Sequence, residues 1–174
     1  MEDFFRSVER QAYRIALFAC HNREDALDLV QDSMCQFYAK YAHVPESDRK
    51  ALFYKILQNK IRDFRRKENV RSRWRTWLHG RDDEDDGPDP LENMVDERAE
   101  EPDQVLEQKQ SFGLLEQSLR KLSAKQQQIF LLRAWEGLSI AETALAMGCS
   151  EGTVKSHYFR ATERLKTELG DNWP

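Results

Sequence analysis

Apolar residues recur from residue 3 to about residue 75 with a period near 3.6 and without the alternation of strands. The pattern predicts three helices. The first places Phe5, Val8, Ala12, Ile15 and Ala19 on one face. The second, "REDALDLVQDSMCQFYAKY", has a stripe of Leu27, Val30, Met34, Phe37 and Tyr41, with Asp25, Asp28, Asp32 and Gln36 on the opposite face. Acidic residues near a helix start complement its positive dipole end, so that face suits plain solvation as well as a partner. The third, "RKALFYKILQNKIRDFRRKENVRSRWR", buries Phe53, Leu57, Ile61 and Phe64 and sets Lys55, Asn59, Arg62 and Arg66 along another face. Lys60, Arg65 and Lys67 flank that basic face.

The second half carries sharper local signals. "SAKQ" (Ser123, Gln126) and "SIAE" (Ser139, Glu142) have capping-box spacing and each opens a helix. Gly137 ends the first of these, Gly148 makes a tight turn after the second, and Ser150 caps a last helix reaching to about Leu169. Two helices joined by a short glycine-containing turn form a helix-turn-helix. Val154, Tyr158, Ala161 and Leu165 face inward on the last helix. Thr153, Lys155, Ser156, His157 and Arg160 are left outward or flanking at the end that enters a major groove.

Charge changes the picture. The net of −4 conceals a segregation: residues 49–81 hold 12 basic and 2 acidic side chains, whereas residues 82–110 hold 2 basic and 13 acidic ones. A basic helical face with Asn suits phosphates and base edges. Arg71, Arg73, Trp74, Arg75 and Trp77 prolong it, the tryptophans suiting either stacking on unpaired bases or capping of the small core. The acidic stretch, with Pro88, Pro90 and Pro102, has too little apolar surface to offset its ordering entropy and reads as a flexible linker. Its carboxylates are placed to compete with DNA for the basic faces.

Other chemistry finds little support. Cys20, Cys35 and Cys149 are far apart and read as buried reduced thiols; no CxxC or Cys/His cluster suggests a metal. Neither a phosphate-binding Gly-rich loop nor a catalytic Ser/His/Asp motif is present, so no enzyme and no cofactor is expected. No apolar run has bilayer length and no signal sequence opens the chain, which reads as cytoplasmic.

Together these segments resemble the sigma-70 family of bacterial RNA polymerase initiation factors, and within it the extracytoplasmic-function (ECF) sigma factors. "EDALDLVQDSMCQFY" is similar to region 2.2, "LFYKILQNKIRDFRRK" to regions 2.3 and 2.4, and "QQQIFLLRAWEGLSIAETALAMGCSEGTVKSHYFRATERLK" to region 4. The resemblance implies an all-α chain of two small helical domains, a sigma-2-like bundle over 1–80 and a sigma-4-like helix-turn-helix domain over 105–174. The acidic linker over 81–104 joins them. Asp28, Leu29, Gln31 and Asp32 would then contact core polymerase. Asn59, Lys60, Arg62 and Arg66 would lie at the −10 element, and Thr153, Lys155, Ser156, His157 and Arg160 at the −35 element. "AHVPESDRK" stands where relatives capture a flipped base. Implied partners are core polymerase (its beta-prime clamp helices and beta flap), promoter DNA and an anti-sigma protein. The chain departs from its relatives at Leu52, where Trp is common, at His157, where Arg is common, and at Leu122-Ser123, where Leu-Pro is common. "GTVKSH" also resembles LuxR-type regulators, which bind operators without polymerase; that reading leaves "DLVQD" and the basic third helix without a role. An adaptor that binds only protein is a further alternative, which the basic faces oppose.

Overall fold

The computed structural model describes residues 1–79 and 113–170, side chains excepted at 75–79. The acidic linker, the expected domain boundaries and the side chains of Arg75 and Trp77 lie outside the described residues. Those that are described contain helices and no strand. They fall into two compact units, an amino-terminal and a carboxy-terminal one.

The amino-terminal unit packs α1 (Glu2–Cys20), α2 (Arg23–Tyr41) and α3 (Glu46–His79). Two residues separate α1 from α2. His21 takes the left-handed conformation (φ 55°) and its N–H bonds Leu17 O, ending α1; the Asn22 side chain then accepts from Asp25 N at 3.0 Å, starting α2. Pro45 precedes α3, which begins at Glu46, three residues before the predicted helical segment that opens at Arg49. Arg49 Nε ties its first turn back to Val44 O at 3.0 Å.

The core opens with an aromatic cluster. Phe4 lies 5.3 Å from Phe37 and 6.0 Å from Phe53, and Phe53 meets Tyr54 edge-on at 5.3 Å. Below it, Val8, Ala12, Ile15 and Ala19 of α1 meet Val30 of α2 and Leu57 and Ile61 of α3, all buried. The inward face of α2 is Ala26, Val30, Ser33 and Phe37: Val30 and Phe37 lie on the predicted stripe, whereas Ala26 and Ser33 stand one position before the predicted Leu27 and Met34, and Leu27 is 48% exposed. Small Ala26 and Ser33 allow close helix approach. Ser33 satisfies its hydroxyl on Leu29 O at 2.6 Å, so a polar residue serves as an inward position.

The carboxy-terminal unit begins with helical residues 113–120 (α4), followed by α5 (Ala124–Phe130), α6 (Ile140–Met147) and α7 (Glu151–Leu169). The predicted helix after Ser123 widens into a π turn over Leu131–Trp135, where Glu136 N reaches Leu131 O at 3.1 Å. Gly137 (φ 73°) then reverses the chain, and Leu138 N returns to Leu132 O at 3.0 Å. Leu119, Ile129, Leu131, Leu132, Leu138, Val154, Ala161 and Leu165 form the core. Buried Gln127 donates to Leu119 O at 3.1 Å, which covers a carbonyl near the end of α4.

Candidate nucleic-acid interface

Both predicted capping boxes of the carboxy-terminal unit form. Ser123 and Gln126 exchange bonds of 3.4 Å; the Ser139 pair is tighter, with Glu142 accepting from Ser139 N at 2.7 Å and Ser139 Oγ from Glu142 N at 3.1 Å. After α6, Gly148 (φ 63°) turns the chain and Cys149 N closes on Ala144 O at 3.1 Å. Ser150 Oγ then accepts from Thr153 N at 3.1 Å, which starts α7. Caps and turn therefore fix where α7 begins and, through it, which side chains point out.

Val154, Ala161 and Leu165 are buried as expected. Tyr158 is half-buried, stacked on Phe130 at 5.9 Å with the Arg133 guanidinium 5.5 Å from its ring centre. Arg133 also donates to Leu138 O, so one cation braces the π turn, the glycine reversal and α7 together. Lys155, Ser156 and Arg160 are exposed. The two remaining predicted positions are more constrained. Thr153 is half-buried, its hydroxyl 2.9 Å from that of Ser150. His157 is also half-buried, and its Nδ1 is buried without a hydrogen-bond partner. Burial, then Lys125 and Arg160, push its imidazole below the ordinary histidine value. Phe159, 65% exposed between Lys155 and Glu163, was not singled out by the sequence pattern. An aromatic inside a polar run reads as core until the phase of the helix is known.

On α3, Lys55, Asn59, Arg62 and Arg66 are exposed along one face, as the spacing predicts. Arg62 donates to Asn59 Oδ1, which orients the amide, and Arg66 lies 3.6 Å from Asp63. Two cations depart from expectation. Lys60 leans onto α2, where its Nζ meets Asp32 at 3.3 Å, so a predicted DNA contact and a predicted polymerase contact form one ion pair. Arg65 turns inward and donates to Ala19 O at 3.2 Å, covering a carbonyl at the end of α1; burial lowers its pKa.

The outer face of α2 exposes Asp28, Gln31 and Asp32, whereas Leu29 is half-buried. Asp25 does not belong with them: burial and the nearby Glu68, Asp28 and Glu24 raise its pKa, with Arg71 opposing. Exposed Leu27 and Tyr38 take its place, making the face acidic and apolar together. Leu27, Gln31 and Met34 line a groove shared with Arg10 and Tyr13 of α1. The α1 side of that groove had no signal in the sequence. The thiols depart from expectation too: Cys35 is exposed, and Cys20 and Cys149 are half-buried. Burial pushes Cys20 up to about 11. Among the described residues no cluster of His, Cys, Asp and Glu suits a metal, and no helix is long and apolar enough to cross a membrane.

Residues 4–71 match the family model of sigma-70 region 2, and residues 112–165 that of sigma-70 region 4. The RNA polymerase sigma-E factor of Streptomyces coelicolor is 33% identical over 97% of this chain and 85% of its own length. RNA polymerase sigma factor SigV of Bacillus subtilis is 29% identical over 90% of this chain and 83% of its own. Among solved structures, the sigma factor RpoE of Bartonella quintana, crystallised with the anti-sigma factor NepR, covers 97% of this chain and 98% of its own at a TM-score of 0.67 and 25% identity. With both conserved regions matched, each holding its expected helices and exposed cations, the chain belongs to the sigma-70 family of RNA polymerase sigma factors, as a member of the ECF group.

Proposed function

We propose that this sigma factor assigns its three exposed faces to three tasks. The outer face of α2, with Asp28, Leu29, Gln31 and Asp32, docks on the beta-prime clamp helices of core polymerase. Asn59, Lys60, Arg62 and Arg66 of α3 read and open the −10 element. Thr153, Lys155, Ser156, His157 and Arg160 read the −35 element. The single observation carrying this reading is that one chain holds an acidic, apolar helical face beside a basic one, and a capped helix-turn-helix with its own cations. A LuxR-like regulator would need only the last.

The physical logic is division of labour. Each reading face offers few phosphate contacts, so neither half holds DNA tightly alone. Core polymerase, engaging the clamp helices and the beta flap, fixes the two readers at a set spacing, and occupancy of one element raises the effective concentration at the other. Opening then proceeds by trapping unpaired bases, each unstacking costing a few kcal/mol that capture offsets. Nucleotide addition belongs to the polymerase, and the factor acts in the cytoplasm where the polymerase works. The acidic linker over 81–104 restrains both basic faces in the free factor. An anti-sigma protein, the kind of partner with which the Bartonella sigma factor was crystallised, is the restraint expected to cover the same faces when the regulon is off.

Binding measurements separate the three faces. Asp28→Arg weakens core binding by about tenfold or more, as a like-charge or unpaired contact in an interface does. Lys155→Ala and Arg160→Ala leave core binding intact and weaken promoter duplex binding, each lowering the salt slope by about one. Unchanged core affinity in the Asp28 variant contradicts the assignment of α2.

A further inference from the structure

The exposed cations along α7 and its neighbours are of two kinds. Toward the end of α7 they are neutralised: Lys121 and Arg164 meet Glu168 at 2.8 and 3.5 Å, and Lys166 meets Glu163 at 3.7 Å. Near its start they are not. Lys155 and Arg160 of α7 and Lys125 of α5 are exposed, and none of the three forms an ion pair among the described residues.

His157 stands among these unpaired cations. Arg160 follows it by three residues on the same side of α7, and Lys125 acts on the ring from α5. α5 carries no other charged side chain, and Arg133 of the π turn is engaged with Tyr158 and Leu138 O. Glu142 of α6 is held at Ser139 N, and no carboxylate of the described residues offsets the two cations at the imidazole.

The half-buried ring encloses its Nδ1 without a partner. A neutral imidazole leaves one nitrogen bare and carries its hydrogen on the other, whereas the charged form places an N–H on both. Two features of the free chain therefore oppose charging: an enclosed nitrogen with no acceptor, and two neighbouring cations. Only the second is relieved from outside, by an anion set against Lys125 and Arg160. Arg160 belongs to the face assigned to the −35 element, so the anion that meets it is a DNA phosphate.

We propose that Lys125, His157 and Arg160 form one proton-linked DNA site, in which a backbone phosphate of the −35 duplex seats against Lys125 and Arg160 while the imidazole takes up a proton from solvent. The inference rests on the sigma-factor reading. It extends the −35 face onto α5 and makes duplex affinity rise as pH falls, by at most about tenfold per pH unit for one proton.

The test uses holoenzyme reconstituted from the full-length chain and core polymerase, on a duplex genomic fragment from which it initiates transcription. Initiation from no fragment overturns the sigma-factor reading and this inference with it. Given initiation, duplex affinity of the wild type rises about three- to tenfold more than that of His157→Gln between about pH 7.5 and about pH 6.0. Glutamine carries no titrating proton, so the polymerase's own pH dependence is all that variant retains. Lys125→Gln, a change at an exposed position, weakens duplex binding at both pH values. In the free chain it also moves the NMR titration of His157 back toward the ordinary histidine value. Equal pH dependence in wild type and His157→Gln overturns the inference, as does a Lys125→Gln chain with unchanged duplex affinity and unchanged His157 titration.

Discussion

His157 shows how one side chain's surroundings decide its chemistry. It sits near the amino-terminal end of α7, proposed to read DNA, yet its Nδ1 is buried without a partner, and Lys125 and Arg160 both oppose its protonation. The unfolded chain takes up this proton near the ordinary value of 6.5, while the folded domain does so only at lower pH. Between those two values the unfolded state binds more protons, so stability falls as pH drops below the ordinary value and is recovered above it. NMR titration of His157 in the free protein is expected to give a value under 6.5; one above it would contradict the site described. At neutral pH the imidazole is therefore uncharged, fitted for a base edge or a shared hydrogen bond more than for a phosphate. The sequence alone did not show this, because the partial burial of His157 near Lys125 depends on packing that no motif encodes. Asp25 and Arg65 repeat the lesson: each lay on an apparently polar face, yet Asp25 is half-buried near Glu68 of α3 and Arg65 reaches Ala19 O of α1.

Elements were more legible than side-chain directions. The serine caps, Gly137 and Gly148 gave the helix ends of the second half almost to the residue, because caps and left-handed turns are local chemistry. On α2 the predicted Val30 and Phe37 are buried, but at two other positions the inward residue is one earlier than predicted, since Ala26 and Ser33 pack inward while larger Leu27 stays at the surface. Hydrophobic size is a poor guide where close helix approach selects small residues. Gly148 provides a test at this scale. Nothing lies within 4 Å of where a Cβ would stand, so Gly148→Ala meets no steric clash and only the strain of φ 63°. That strain costs about 1–2 kcal/mol, seen as a lower midpoint for unfolding of the carboxy-terminal unit, with −35 binding weakened because α7 is re-aimed. An unchanged midpoint would contradict the turn geometry. The Asp32–Lys60 pair between α2 and α3 provides another. With Asp32 72% exposed, the bridge contributes about 0–1 kcal/mol. Asp32→Asn is expected to leave stability nearly unchanged while weakening core polymerase binding. A large loss of stability would make Asp32 structural and remove it from the docking face.

At the scale of the whole molecule, the acidic net charge of a DNA-reading protein is explained by where the charges are. Residues 49–81 carry a net of +10 and residues 82–110 a net of −11, so the chain has basic surfaces without being a basic protein. On the proposed reading, binding to DNA is weak in the free factor and strong only when core polymerase holds both readers in register. The measurement that tests this most directly is transcription by purified core polymerase on a pool of genomic fragments, with and without this chain. New start sites that share two sequence elements at a fixed spacing are expected, and they vanish when Arg62 and Arg160 are both replaced by Ala. No new starts, together with tight and salt-sensitive binding of the chain alone to duplex DNA, would contradict it.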